Sequence, residues 1–269
     1  MPGAVDPEYI LARRVLLDAL VALGRHRDSV ILVGAQAIYI HVGEADIAVA
    51  PYTTDGDLAI DPSRVAPEPL LGDALSAAGF TPDPIQPGQW TGEHDVRVDL
   101  MVPESLAGSG RRGADLGPHG RRVARRARGL EASLVDNSKM QVEALEPGDG
   151  RRFDLRVAGP AALLVAKIHK IAERQGSPDR LADKDALDVL RILRGVRTEA
   201  LAQRLRQLAV DDLAGEVTRT AMANLEALFG SSGSPGSQMA ARAAEPLEDP
   251  ATIAASCAAL TSDLLGELS

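Results

Sequence analysis

Three aspartates carry the chemistry that this sequence can do. Asp55 and Asp57 fall two residues apart in Tyr52-Thr53-Thr54-Asp55-Gly56-Asp57-Leu58-Ala59-Ile60, a stretch that alternates polar and apolar residues from Thr54 to Ile60. On a strand, positions two apart face the same way, so the two carboxylates stand side by side. Like charges this close are costly unless a cation neutralises them, and hard divalent ions such as Mg²⁺ take carboxylate oxygens with phosphate oxygens completing the shell. An Asp-x-Asp pair is also common on surface strands and turns, where it binds nothing. Asp99, in Val98-Asp99-Leu100, is either an edge residue facing water or the third member of an acidic cluster. Three acids near one sheet end suit the metal-assisted transfer of a nucleotidyl group.

These residues need elements to hold them. Asp6-Pro7 followed by leucines at helical spacing predicts a first helix ending at Gly24. Ser29 to Val33 reads as a strand that stops at Gly34, and Ala35 to Val42 as a short helix. Free N–H groups at such a strand-to-helix junction, with the positive end of the helix behind them, can hold a phosphate, and Gly34 would let a nucleotide approach the main chain. The alternative is a glycine that only turns the chain. Thr54 to Ile60 and Asp95 to Val102 read as further strands, with a helix over Pro67 to Ala78 between them. Strands are also expected near Glu131 to Val135, Lys139 to Leu145 and Arg152 to Val157.

Beyond Gly159-Pro160 the β-branched runs vanish and leucines recur at helical spacing, predicting helices over Pro160 to Arg174, Asp183 to Leu193, Thr198 to Leu208 and Asp211 to Leu228. Gly230 to Gly236 reads as a flexible connector, and Pro250 to Leu265 as a last helix ending before Gly266. The fold class is therefore α/β (α+β): a mixed-sheet core over residues 1–158, a helical bundle over 159–269, and a site in the cleft between them.

Composition narrows the function. The 269 residues include three Phe, three Tyr and one Trp, too few rings for a base-stacking platform. Net charge is −9, yet seven arginines against one Asp115 between Arg111 and Arg128 make that stretch strongly basic. Such a run either neutralises RNA phosphates or is a glycine-interrupted, solvated insertion too polar for a core element. The single cysteine, Cys257, excludes an intrachain disulfide and a Cys-rich zinc site and fits a reducing compartment. No long apolar run or signal-peptide pattern is present, so a soluble cytoplasmic protein without a membrane partner is expected. His41 and His169 lack zinc-ligand spacing and read as structural. Ser133 and Ser138 lack a nucleophile elbow, and Walker and Rossmann fingerprints are missing.

The order hydrophobic strand, Gly34, helix, Thr53-x-Asp55-x-Asp57 and hydrophobic-Asp99-hydrophobic resembles the nucleotidyltransferase superfamily of the polymerase-β type. Ala161 to Lys170 followed by Lys184-Asp185-Ala186-Leu187-Asp188-Val189-Leu190 is similar to the later motifs of AbiEii-type toxins, including the MenT nucleotidyltransferases of toxin–antitoxin pairs. The likeness spans residues 28 to 195. Gly34-Ala35 stands where superfamily members carry Gly-Gly or Gly-Ser, and Pro51 where AbiEii-type sequences commonly carry an arginine.

The resemblance implies an enzyme that transfers a nucleotide from an NTP with Mg²⁺, or Mn²⁺ in its place. Its acceptor would be RNA, the 3′ end of tRNA in particular, with a cognate antitoxin protein as partner. Asp55 and Asp57 would hold the metal, with Asp99 helping a second ion or acting as base. Gly34, Ala35, Thr53 and Lys167 would hold the nucleotide, Lys167 as a cation at the triphosphate. Asp185 and Asp188 would orient Lys167 or the nucleotide. Without that context, Lys167 reads as a snorkelling helix lysine and Lys184/Asp188 as a solvated i,i+4 pair. Two other readings stay open: the same module acting on an aminoglycoside-like small molecule or a protein hydroxyl, and a non-catalytic binding module.

Overall fold

The computed structural model describes residues 5–43, 45–176 and 183–269; Met1 to Ala4, part of the N-terminal stretch read for a leader, lie outside them. Helix α1 (Pro7–Leu23) starts where Asp6 accepts from the N–H groups of Glu8 and Tyr9, with Pro7 in its first turn. Strand β1 (Val30–Val33) is Val-Ile-Leu-Val and buried along its whole length, as the middle of a covered sheet requires. Helix α2 (Gly34–Val42) follows without a linking residue, and β2 (Asp55–Ile60) returns antiparallel to β1 with Val33 opposite Asp57.

Helix α3 (Leu71–Ala77) and the short strands β3 (Thr81–Pro82) and β4 (Gln89–Thr91) lead into β5 (Arg97–Pro103), which lies parallel to β2. Then come β6 (Arg125–Ala127), α4 (Glu131–Val135), β7 (Asn137–Glu143) and β8 (Arg152–Ala158). Among the described residues eight strands form one mixed sheet in the order β3-β4-β5-β2-β1-β8-β7, with β6 joined to β5. The remaining helices are α5 (Pro160–Arg174), α6 (Asp183–Gly195), α7 (Thr198–Ala209), α8 (Gly215–Phe229), α9 (Pro235–Ala244) and α10 (Pro250–Leu268). An α/β sheet core followed by helices is thus what the chain forms. Helices α5 and α6 both pack on α2, and α4 on α5, which brings the helical half against the first motif.

Several elements differ from expectation. Residues 131–135 are a helix, because Glu131 turns back to accept from Gly129 N–H and Ser105 N–H. The connector after α8 is only the turn Gly230 to Ser234; at Pro235, a residue suited to a first helical turn, α9 begins. Gly236 packs so closely on the Phe229 ring that a Cβ would lie 2.6 Å from it. The last helix runs through Gly266 to Leu268, α3 starts at Leu71 rather than Pro67, and α8 at Gly215 rather than Asp211.

The arginine stretch is a further correction, since it is packed rather than a solvated insertion. Ala114, Val123 and Ala124 are buried, and β6 pairs with β5 through Met101, Val102 and Pro103. Five of its seven arginines stay compatible with packing because carbonyls and carboxylates engage them. Arg122 donates to the carbonyls of Asp83 and Pro84, Arg126 to those of Gly108 and Glu104, and Arg121 pairs with Asp115.

Candidate active site

The site begins at the β1–α2 junction. Gly34 has φ +69°, and a Cβ there would lie 2.0 Å from Asp57 Oδ2. Only glycine allows both the backbone conformation and the close approach of β2. The first turn of α2 has no side-chain cap, so its N–H groups remain available to an anion beside Gly34. Ala35 is buried behind it.

The parallel register of β2 and β5 sets Asp57 beside Asp99 and Asp55 beside Arg97. The three carboxylates are therefore brought together on two neighbouring interior strands, with different surroundings. Thr53 is buried and donates from its hydroxyl to Asp55 Oδ1 (2.7 Å), which makes it a support for the carboxylate rather than part of the cavity wall. Gln36 donates to the Asp55 carbonyl (2.9 Å), and the buried Arg13 holds Gln36 in turn (2.7 Å). Asp99 receives Arg125 Nη2 at 3.0 Å and Gln89 Nε2 at 3.4 Å. The Asp57 carboxylate accepts no hydrogen bond from any described residue. Desolvation, with Asp55 and Asp99 adding repulsion, pushes its carboxyl up to about 7.

A cavity of about 280 Å³ opens in front of Asp57. Gly34, Val33 and Asp57 form one wall, and Arg111, Arg125, Arg126 and Arg128 another. The third is one face of α5, where Leu163, Ala166, Lys167, Lys170 and Arg174 recur at spacings of three and four. Seven basic side chains line the space against three acidic ones, which gives a positive cavity within an acidic protein.

Lys167 lines this cavity while its ammonium is held from behind. Its Nζ lies 2.6 Å from Asp185 Oδ1 and 2.8 Å from Asp188 Oδ2, all three groups being buried. Burial alone would lower the lysine, but the two carboxylates hold it well above its ordinary value. Burial would likewise raise Asp185, but Lys167 and Lys170 hold its carboxyl well below the usual range. Asp185 also meets Lys170 Nζ at 3.0 Å and Arg174 Nη1 at 3.3 Å, so one carboxylate gathers three like charges of α5.

Asp188 reaches the first half of the chain through Tyr39, whose hydroxyl bridges the Tyr52 carbonyl (2.8 Å) and Asp188 Oδ1 (3.2 Å). Lys184 does not form the i,i+4 pair with Asp188; its Nζ lies over the Tyr52 ring at 5.2 Å. His41 and His169 bind the carbonyls of Ala158 and Val217, each at 2.8 Å.

Sequence reasoning did not find Arg13, Gln36 or Tyr39, and it took Arg125 only as a member of the arginine run and not as the partner of Asp99. The signal for Gln36 was a lone amide near the start of the largely apolar Gly34 to Val42 helix. The others are tied to the site only by contacts between residues far apart in sequence.

Among the described residues no three Asp, Glu, His or Cys side chains stand as a ready metal cage, since Asp55 is engaged by Thr53 and Asp99 by Arg125. The donor set nonetheless fits a hard divalent ion. It is all oxygen, and Asp57 is a crowded, desolvated carboxylate without a hydrogen-bond donor. A glycine junction at a free helix end, paired strand carboxylates and a cationic cavity are features that phosphate chemistry on a nucleotide calls for. A nucleotidyltransferase family profile matches residues 13–215, and the chain belongs to that family. Comparison with curated proteins and with solved structures finds no match. No described helix is long and apolar enough to cross a membrane.

Proposed function

We propose that this nucleotidyltransferase moves a nucleotide from an NTP onto an RNA hydroxyl, with the 3′ end of tRNA as acceptor. We propose further that it works as the toxin of a toxin–antitoxin pair, blocking translation and held in check by an antitoxin protein. The observation that carries the chemistry is the cavity in which Gly34 and Asp57 face the basic walls from β6 and α5.

In the reaction, the acceptor oxygen bonds to the α-phosphorus, the α–β bridging P–O bond breaks, and pyrophosphate leaves. The hydroxyl proton passes to the Asp99 carboxylate, which the register sets beside Asp57. The free N–H groups at Gly34 hold the phosphates. Lys170 and Arg174 face the charge that grows on the leaving group, and Lys167 fixes the α5 face against α6. Asp55 and Asp57 would hold a divalent ion such as Mg²⁺ or Mn²⁺, which when bound supplies Lewis-acid polarisation of the phosphates.

The cavity's charge supports a polyanionic acceptor. A cationic drug of the aminoglycoside kind would meet seven basic side chains and be repelled. The test is incubation of the purified protein with Mg²⁺, total tRNA and each α-labelled NTP in turn, beside Asp55→Ala and Asp57→Ala. Label on tRNA with the wild type alone is the expected result; label on protein, or none on RNA, overturns the acceptor.

A further inference from the structure

A second cavity, of about 450 Å³, lies on the other side of the arginine wall, lined by Gln86, Pro87, Arg111, Arg112, Arg125 and Arg126. We propose that it is the acceptor subsite, taking the phosphodiester backbone of single-stranded RNA next to the reacting end; this rests on RNA being the acceptor.

The two cavities share Arg111, Arg125 and Arg126. In-line attack sets the acceptor oxygen opposite the departing pyrophosphate, so the acceptor's own phosphates must come close to those of the NTP. Cations common to both spaces relieve that repulsion.

The cavity is built rather than casual. Arg126 N–H donates to the Arg112 carbonyl and Ala114 N–H to the Ala124 carbonyl, each at 2.9 Å, so the arginine-bearing chain is fastened to β6. Gly88, at φ +78°, packs so tightly there that a Cβ would lie 2.4 Å from the Arg125 nitrogen. Of the seven arginines between 111 and 128, Arg121, Arg125, Arg126 and Arg128 lie within 4.0 Å of a carboxylate, and Arg122 is spent on carbonyls. Arg111 and Arg112 are exposed, their side chains have no partner among the described residues, and both line the second cavity. The lining holds no aromatic ring, so it recognises backbone charge and not base identity.

Arg112 separates the two spaces, because it lines the second cavity and not the first. The experiment measures fluorescence anisotropy of two labelled single-stranded oligoribonucleotides of different sequence over a range of salt. The proteins are the wild type, Arg112→Ala and, as a control that lines neither cavity, Arg121→Ala; binding of a non-hydrolysable NTP analogue is measured beside it. For Arg112→Ala the expected result is a loss of about fivefold at 0.1 M salt and a log–log salt slope smaller by about 0.7, the share of one phosphate contact on a single strand. The loss is equal for both oligonucleotides, and analogue binding is unchanged. Wild-type RNA binding that Arg112→Ala leaves intact overturns the subsite and leaves the RNA reading standing. An equal loss of RNA and analogue binding also overturns it. A wild type that binds the analogue and neither RNA overturns the RNA reading itself.

Discussion

Asp57→Asn should stabilise the metal-free protein above neutral pH. In the folded chain the Asp57 carboxyl is pushed up from 3.8 to about 7, by desolvation first and then by Asp55 and Asp99. An acid whose folded pKa lies above its unfolded one keeps its proton longer in the folded state. Stability is therefore fullest below the unfolded value and falls as pH rises towards the folded one. At about 1.4 kcal/mol per pH unit, that interval amounts to roughly 4 kcal/mol. Asparagine cannot ionise and removes this loss. Urea unfolding of wild type and Asp57→Asn in a chelator, at pH 5 and pH 8, reads the effect as a difference between proteins, so that other titrating groups cancel. Between pH 5 and pH 8 the wild type should lose roughly 3 kcal/mol relative to the variant, since the rest of the interval lies below pH 5. Added Mg²⁺ should restore the wild type at pH 8 and leave the variant unmoved, since an ion that binds only the folded state stabilises by mass action. A wild type and variant with the same pH dependence, or a variant less stable at pH 8, would refute the reasoning.

Lys167→Met leaves Asp185 and Asp188 facing each other in a buried site and should cost about 3 kcal/mol in urea unfolding, the low end for a broken buried pair because Lys170 and Arg174 remain on Asp185. Adding Asp188→Asn to that variant should recover part of the loss. The depressed Asp185 carboxyl contributes stability that is whole above about pH 4 and drains away as pH falls below it, so wild type should lose more than Asp185→Asn on acid titration. Gly34→Ala should cost about 1–2 kcal/mol for the left-handed backbone alone. Because its Cβ falls on Asp57 Oδ2, nucleotide binding in a fluorescence titration should drop much further than that strain accounts for.

The sheet core and its carboxylates were legible because their signals are local. A period of two puts Asp55 and Asp57 on one face, and a glycine ending an all-apolar strand marks a junction where the backbone must come close to something. What Gly34 approaches, the Asp57 carboxylate, is set by the β1–β2 pairing and lies 23 residues on. The Lys167 cluster joins residues 18 and 21 apart and required the packing of α6 against α5. Strand β6 was hidden because two of its three side chains are arginines. It is a strand through backbone bonds to β5, and Asp99 and nearby carbonyls receive its charges. Helix α9 was hidden by the glycine and serine residues before it, whose turn is only five residues long.

The central claim is nucleotidyl transfer, and the most direct measurement gives the protein the same NTP labelled either at the α-phosphorus or at the γ-phosphorus, with RNA as acceptor. The account predicts α-label joined to RNA and γ-label released in pyrophosphate, both lost in Asp57→Ala. Transfer of γ-label to RNA would contradict it, since the bond broken would then be β–γ and the reaction phosphoryl transfer.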